Sequence, residues 1–120
     1  MPDSGNTNGA LQSGASSGKQ PVFDANGGID LRSINPSTVL RVQTRNNTYT
    51  VIPQVSGEML IWGHPEFCPE PILIAGLGSA HDTGYFREGY LCPGLRLSFP
   101  SAGRRVATSN ITAIQIIQKN

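Results

Sequence analysis

The residue types best suited to chemistry gather in one stretch of this chain. Both histidines and both cysteines fall between His64 and Cys92. His64, Cys68, His81 and Cys92 would offer two imidazoles and two thiolates, a donor set that tetrahedral zinc accepts. Their spacing points the other way. Structural zinc sites usually present paired cysteines on a tight knuckle, whereas this chain has no Cys-x-x-Cys, and Pro65 stiffens the loop between His64 and Cys68. The expectation is two buried or half-buried thiols and two loop histidines, with no metal and no cofactor. A Cys68–Cys92 disulfide is a separate use for the thiols. In a reducing cytosol it would be open.

Ser79, His81 and Asp82 suggest a hydrolase. A triad needs its acid on the far side of the base, and its members generally come from separated segments. On an extended chain Ser79 and His81 point one way and Asp82 the other. The surroundings of Ser79 are not the Gly-x-Ser-x-Gly elbow either. Gly76-Leu-Gly78 lacks the third glycine of a dinucleotide fingerprint, and glycine and proline downstream preclude the helix that would meet a phosphate. Glu66 and Glu70 flank Cys68 in a proline-rich loop. Paired carboxylates can move protons, but solvated loop charges are the plainer reading. No catalytic residue is assigned, and the chain reads as a non-enzyme.

Arg41, Arg45 and the pair Arg104-Arg105 raise nucleic-acid binding, with Tyr85, Phe86 and Tyr90 as stacking partners. The formal net charge of +1 and the lack of any lysine beyond residue 19 except Lys119 oppose it. The plainer reading is charge that keeps sheet edges from pairing with other chains. Asn46 and Asn110 head glycosylation sequons, which matter only in a secreted protein.

These residues need elements to hold them. The chain has 120 residues, enough for one domain. Its start, to about Asp30, is rich in Gly, Ser, Asn and Gln, with few apolar residues to offset the entropy of ordering it. Residues 1–33 therefore read as a disordered leader, and 34–120 as the folded domain. The leader has neither the basic start nor the apolar core of a secretory signal, and no apolar run is long enough for a membrane helix. The default location is the cytoplasm. Only 14% of residues are charged, so the surface is poorly protected against association, and another protein or self-association is the expected kind of partner.

The clearest element is a hairpin. Thr38 to Arg45 and Thr48 to Ile52 are largely β-branched or aromatic. If Asn46-Asn47 is a two-residue turn, Thr44 faces Tyr49, Val42 faces Val51 and Leu40 faces Pro53. Leu40, Val42, Tyr49 and Val51 then share one face, and a one-residue slip would scatter them. Further strands are expected at Glu58–Trp62, Ile72–Ala75, Leu95–Phe99, Arg104–Thr108 and Ile111–Ile117. Turns fall at 64–71 and at Pro100–Gly103. Trp62 reads as core. In the last strand Ile114 and Ile116 share one face and Ile111 and Ile117 the other, so it should lie inside the sheet. No window reads as a helix. Six or seven short strands make an all-β fold. A small, SH3-like barrel fits best, and an open sandwich that closes on dimerisation competes with it.

One resemblance enters at Gly78-Ser79, Gly84, Gly89 and Gly94-Leu-Arg-Leu97, followed by Arg105-Val-Ala-Thr-Ser-Asn-Ile-Thr-Ala-Ile114. Leu40-Arg-Val-Gln-Thr44 and Asn47-Thr-Tyr49 belong to the same pattern. The folded part resembles a group of uncharacterised small bacterial all-β domain proteins. The shared positions are turn glycines and strand residues, so the resemblance implies a fold and no catalytic or ligand-binding residue. The chain departs from the pattern at Ala80-His-Asp-Thr83, where small residues and glycine are usual. The expected role is a non-catalytic interaction or accessory module that contacts another protein through Tyr85, Phe86, Arg87 and Tyr90.

Overall fold

The computed structural model describes residues 23–119. Among them the expected hairpin forms, as β2 (Val39–Thr44) and β3 (Thr48–Pro53). Its register is two residues away from an Asn46-Asn47 turn. Leu40 pairs with Val51 and Val42 with Tyr49, so Arg45 and Asn46 occupy the turn. Neither has a positive φ. The Thr44 hydroxyl explains the choice. It accepts from the Asn47 N–H at 3.1 Å, while the Thr44 N–H donates to the Asn47 carbonyl at 2.8 Å. A side chain thus closes the turn without left-handed residues. A two-residue shift preserves side-chain parity, and Leu40, Val42, Tyr49 and Val51 are all fully buried as expected.

The next strands are β4 (Met59–Trp62) and β5 (Ile72–Ile74). Met59 and Ile61 face the core, and Ile61 pairs with Val51 on one side and Ile72 on the other. Trp62 does not join them. It pairs with Thr50 on the outer face and is only half-buried, because strand alternation gives the inner positions to its neighbours.

A tight type I′ hairpin connects β9 (Arg96–Ser101) to β10 (Arg104–Gln118). Ser101 pairs with Arg104, and between them Ala102 and Gly103 have φ of +50° and +77°. Left-handed geometry suits Gly103 and strains Ala102. Replacing Ala102 with Asn or Gly should therefore raise stability by about 0.5–1 kcal/mol, read as a higher denaturation midpoint. An unchanged or lower midpoint would show that the turn is not left-handed there.

β10 is one strand of fifteen residues where the sequence suggests two. Its first part pairs with β9 and its last part with β2. A bulge between Ile111 and Ala113 inserts one unpaired residue. That residue changes the parity. Ile111 faces the same core as Ile114 and Ile116, while Ile117 is exposed. The expected sharing of a face by Ile111 and Ile117 is thereby corrected. β10 does lie inside the sheet.

Four short strands complete the described residues: β1 (Ile29–Asp30), β6 (Gly78–Ala80), β7 (Phe86–Glu88) and β8 (Tyr90–Leu91). The main sheet has eight strands in the order β5-β4-β3-β2-β10-β9-β6-β7, and β1 pairs with β8 in a separate ribbon. The sheet curls over its own inner face. Tyr49 on β3 and Phe99 on β9 sit three strand spacings apart, roughly 14 Å in a flat sheet, yet their ring centroids are 6.3 Å apart. It does not close, which corrects the barrel expectation. The terminal strands β5 and β7 pair only inward, and each has three residues. Pro69 and Pro71 also blunt the approach to β5. The open sheet matches the competing expectation in this respect.

The ribbon, and the 3₁₀ turn Leu31–Ser33 that follows β1, complete the core with Ile29, Leu31 and Leu91. The fold thus reaches back into the expected leader, at least to Phe23. The first 22 residues of that leader lie outside the described residues. No described helix is long and apolar enough to cross a membrane.

Candidate functional site

The candidate site is built on the hairpin of β6 and β7, where Ser79 faces Arg87 and Ala80 faces Phe86. The His81 N–H donates to the Tyr85 carbonyl at 2.8 Å and closes the loop. This lifts Tyr85 to 63% exposure at the tip, its ring 5.4 Å from that of His81. Strand alternation then sends Phe86 and Arg87 to opposite faces. The Arg105 guanidinium sits 4.1 Å from the centroid of Phe86. On the other face, the Arg87 guanidinium sits 4.1 Å from the centroid of Tyr90. Tyr85, Phe86, Arg87 and Tyr90 therefore do not make one flat patch. They straddle the edge strand, with one cation–π pair on each face.

Tyr90 is anchored from behind. Its hydroxyl donates to Asp24 Oδ2. Asp24 Oδ1 accepts from the N–H groups of Asn26 and Gly28 at 2.9 and 2.8 Å, so one carboxylate shapes the turn and ties it to β8. Sequence reasoning missed Asp24 by placing it in the leader. Asp24-Ala-Asn-Gly-Gly28 has the composition of an Asx turn, and that signal was available.

The Tyr90 hydroxyl holds the Asp24 carboxyl below its usual value, helped by the Gly28 N–H. The same bond, with some burial, holds the Tyr90 phenol above its usual value. A lowered carboxylate stabilises the fold above its ordinary value of 3.8 and stops doing so as pH falls through the folded-state value. A raised phenol stabilises it below 10.0 and stops as pH rises through its folded-state value. Asp24→Asn keeps the turn acceptor but removes the charge. It should move tyrosinate formation at Tyr90 down toward the ordinary range and speed amide exchange at Gly28 and Ile29. A Tyr90 titration that does not move would dismiss the contact.

The histidines and cysteines lie in three places. His64 and Cys68 share the loop after β4, where the Cys68 N–H donates to the His64 carbonyl at 3.2 Å. His64 Nδ1 accepts from the N–H groups of both Glu66 and Phe67 at 3.0 Å, so its lone pair is engaged in holding the loop. His81 sits on the β6–β7 loop. Cys92 lies near the Asn26 carbonyl, with Sγ 3.7 Å from the oxygen. Both cysteines are free and buried. Among the described residues no group of three or more His, Cys, Asp or Glu side chains forms a metal-holding cluster. The zinc candidates are not brought together.

Ser79, His81 and Asp82 do not form a relay. The Ser79 hydroxyl is buried and donates to the Tyr90 carbonyl at 2.6 Å. Asp82 turns instead to Arg96, with 2.9 Å between Oδ1 and Nε. Glu66 and Glu70 are exposed beside the buried Cys68. The arginines are dispersed as well. The Arg45 N–H donates to the Asn110 carbonyl, so Arg45 lies roughly 20 Å along β10 from Arg104. Arg105 is held by the Gly76 carbonyl at 3.1 Å and the Ser98 hydroxyl at 3.3 Å. Beside it is a hollow of about 430 Å³ lined by Phe67, Ala102, Arg104, Arg105 and Val106.

Comparison with protein-family models, curated proteins and solved structures finds no match to this chain.

Proposed function

We propose that this chain is a non-catalytic interaction module that receives an extended segment of another protein along β7. One observation carries the reading. The outer edge of β7 is unpaired among the described strands, and it runs between the Arg105–Phe86 and Arg87–Tyr90 pairs with Tyr85 exposed at its tip. An added strand takes main-chain hydrogen bonds from such an edge, and alternate side chains meet the two faces. Tyrosine and arginine are the residues most often found at the energetic centre of such contacts.

Panning a library of random displayed peptides against the whole chain tests this. Peptides enriched on the native protein should be lost on Tyr85→Ala with Arg87→Ala. The melting temperature of that variant should hardly change, because both side chains are exposed. Phe86→Ala is a poorer probe, since Phe86 is half-buried beneath Arg105 and should lower the melting temperature. Enrichment that survives the double substitution, or no enrichment at all, would end the proposal. A nucleic-acid binder using the same arginines would instead be retained on heparin and released steeply by salt.

A further inference from the structure

β10 leaves part of one edge open. Its pairing with β2 begins only at Ile111. Arg104 to Ala107 therefore have β9 on one side and no described strand on the other. Pro100 shows which main-chain groups face outward. It stands opposite Arg105 and has no N–H to give, so this is a pair without ladder hydrogen bonds. Alternation makes Ala107, opposite Ser98, another such pair. The N–H and C=O groups of Arg105 and Ala107 thus point away from β9, and no described main-chain group meets them.

The hollow of about 430 Å³ lies along this edge. Arg104, Arg105, Val106 and Ala107 all line it. A strand shows alternate residues to each face, so four consecutive residues border one space only where it meets the strand edge-on. Ala102 and Phe67, the latter from the loop after β4 and 37% exposed, add apolar surface. The volume falls within the range of small-molecule sites, roughly 300–1,000 Å³.

Charge selects the ligand. Neither Arg104 nor Arg105 has a carboxylate partner among the described residues, whose two ion pairs are Arg32–Glu88 and Arg96–Asp82. Arg105 is also held in one position. Its Nη1 donates to the Gly76 carbonyl and the Ser98 hydroxyl, and its guanidinium lies over Phe86. Its Nε and Nη2 make no hydrogen bond among the described residues. Those two nitrogens form a planar fork that matches the two oxygens of a carboxylate. A fork already fixed by the protein loses little freedom on binding.

We infer that this hollow binds a small aryl carboxylate. The carboxylate sits on the free fork of Arg105, Arg104 adds a second positive charge, and the ring lies against Phe67 and Val106. One free fork suits one carboxylate, and the apolar walls suit a ring. The site shares Arg105 with the β7 edge but uses neither Tyr85 nor Arg87, and it does not rest on the peptide reading.

Titration of the whole chain with benzoate, followed by amide NMR, provides the test. Saturable shifts should appear at Phe67 and at residues 102–107, the Arg105 and Ala107 amides included. Benzamide keeps the ring without the charge, and acetate keeps the charge without the ring. Each should bind at least about tenfold more weakly than benzoate. Arg105→Lys keeps the charge, loses the fork and should weaken benzoate about tenfold. Arg104→Gln, at an exposed side chain, should weaken it about threefold and decides the matter should Arg105→Lys fold poorly. Tyr85→Ala with Arg87→Ala should bind benzoate as the native protein does. Shifts that never saturate, benzamide or acetate binding as well as benzoate, a singly charged phenyl phosphate binding more tightly, or indifference to the arginine substitutions would overturn the inference.

Discussion

Phe99→Ala should remove about 3–5 kcal/mol of stability, much of the roughly 5–10 kcal/mol available to a domain of this size. Phe99 is fully buried on β9, and its ring meets Tyr49 edge-on across the curled sheet. Among the described residues this contact joins the inner faces of strands that are not sheet neighbours. Truncation would leave a cavity between two layers that the backbone ladder holds on one side only. Urea denaturation should show a midpoint shifted far down or no folded baseline. Tyr85→Ala should stay within about 0.5 kcal/mol of the native protein. A small loss at Phe99 would mean that the two halves of the sheet do not pack together.

Tyr49→Phe should act in the opposite direction. The Tyr49 side chain is fully buried, and its hydroxyl makes no hydrogen bond of good geometry among the described residues, although the Asn47 side chain is near enough to act on it. An unsatisfied buried hydroxyl costs about 1–3 kcal/mol, so its removal should stabilise the fold by about 1 kcal/mol at neutral pH. The effect should grow with alkali. Burial, with repulsion from the Cys68 thiolate adding to it, pushes the Tyr49 phenol up to about 12 from an ordinary 10.0, against a smaller opposing effect of the Asn47 side chain. A raised phenol contributes stability that is complete below pH 10 and lost as pH rises through 12, because the unfolded chain ionises first. The native protein should lose about 2–3 kcal/mol across that window through this residue, and Tyr49→Phe should be spared that part of the loss. Parallel stability profiles for the two proteins between pH 9 and 12 would show that the phenol ionises as readily in the folded chain as in the unfolded one, so that it is not shut away from water.

How far the fold could be read varies element by element. The inward set Leu40, Val42, Tyr49 and Val51 was legible because β alternation is local. The turn that joins these strands was not. Thr44 closes it with a hydroxyl that competes well with the left-handed Asn-Asn alternative, and composition alone does not rank the two. Ile111 was assigned to the wrong face because a bulge is a property of two strands in register. Trp62 was assigned to the core on hydrophobicity, whereas parity with Ile61 puts it outside. The candidate site was half legible. The aromatic cluster at residues 85–90 stood out, but the division of Phe86 from Arg87, and the engagement of Arg105 and Asp24, depend on which chain segments meet.

Alternating apolar residues, turn glycines and the absence of helical periodicity were enough to make this an all-β chain with its last strand inside the sheet. These are short-range properties, set by backbone sterics and side-chain parity over a few residues. Closure, face and neighbourhood were decided by the tertiary structure alone. An open eight-stranded sheet curled by the Tyr49–Phe99 contact, a fold that includes Phe23, and histidines and cysteines divided among three places all depend on contacts between residues distant in sequence, which local pattern does not encode.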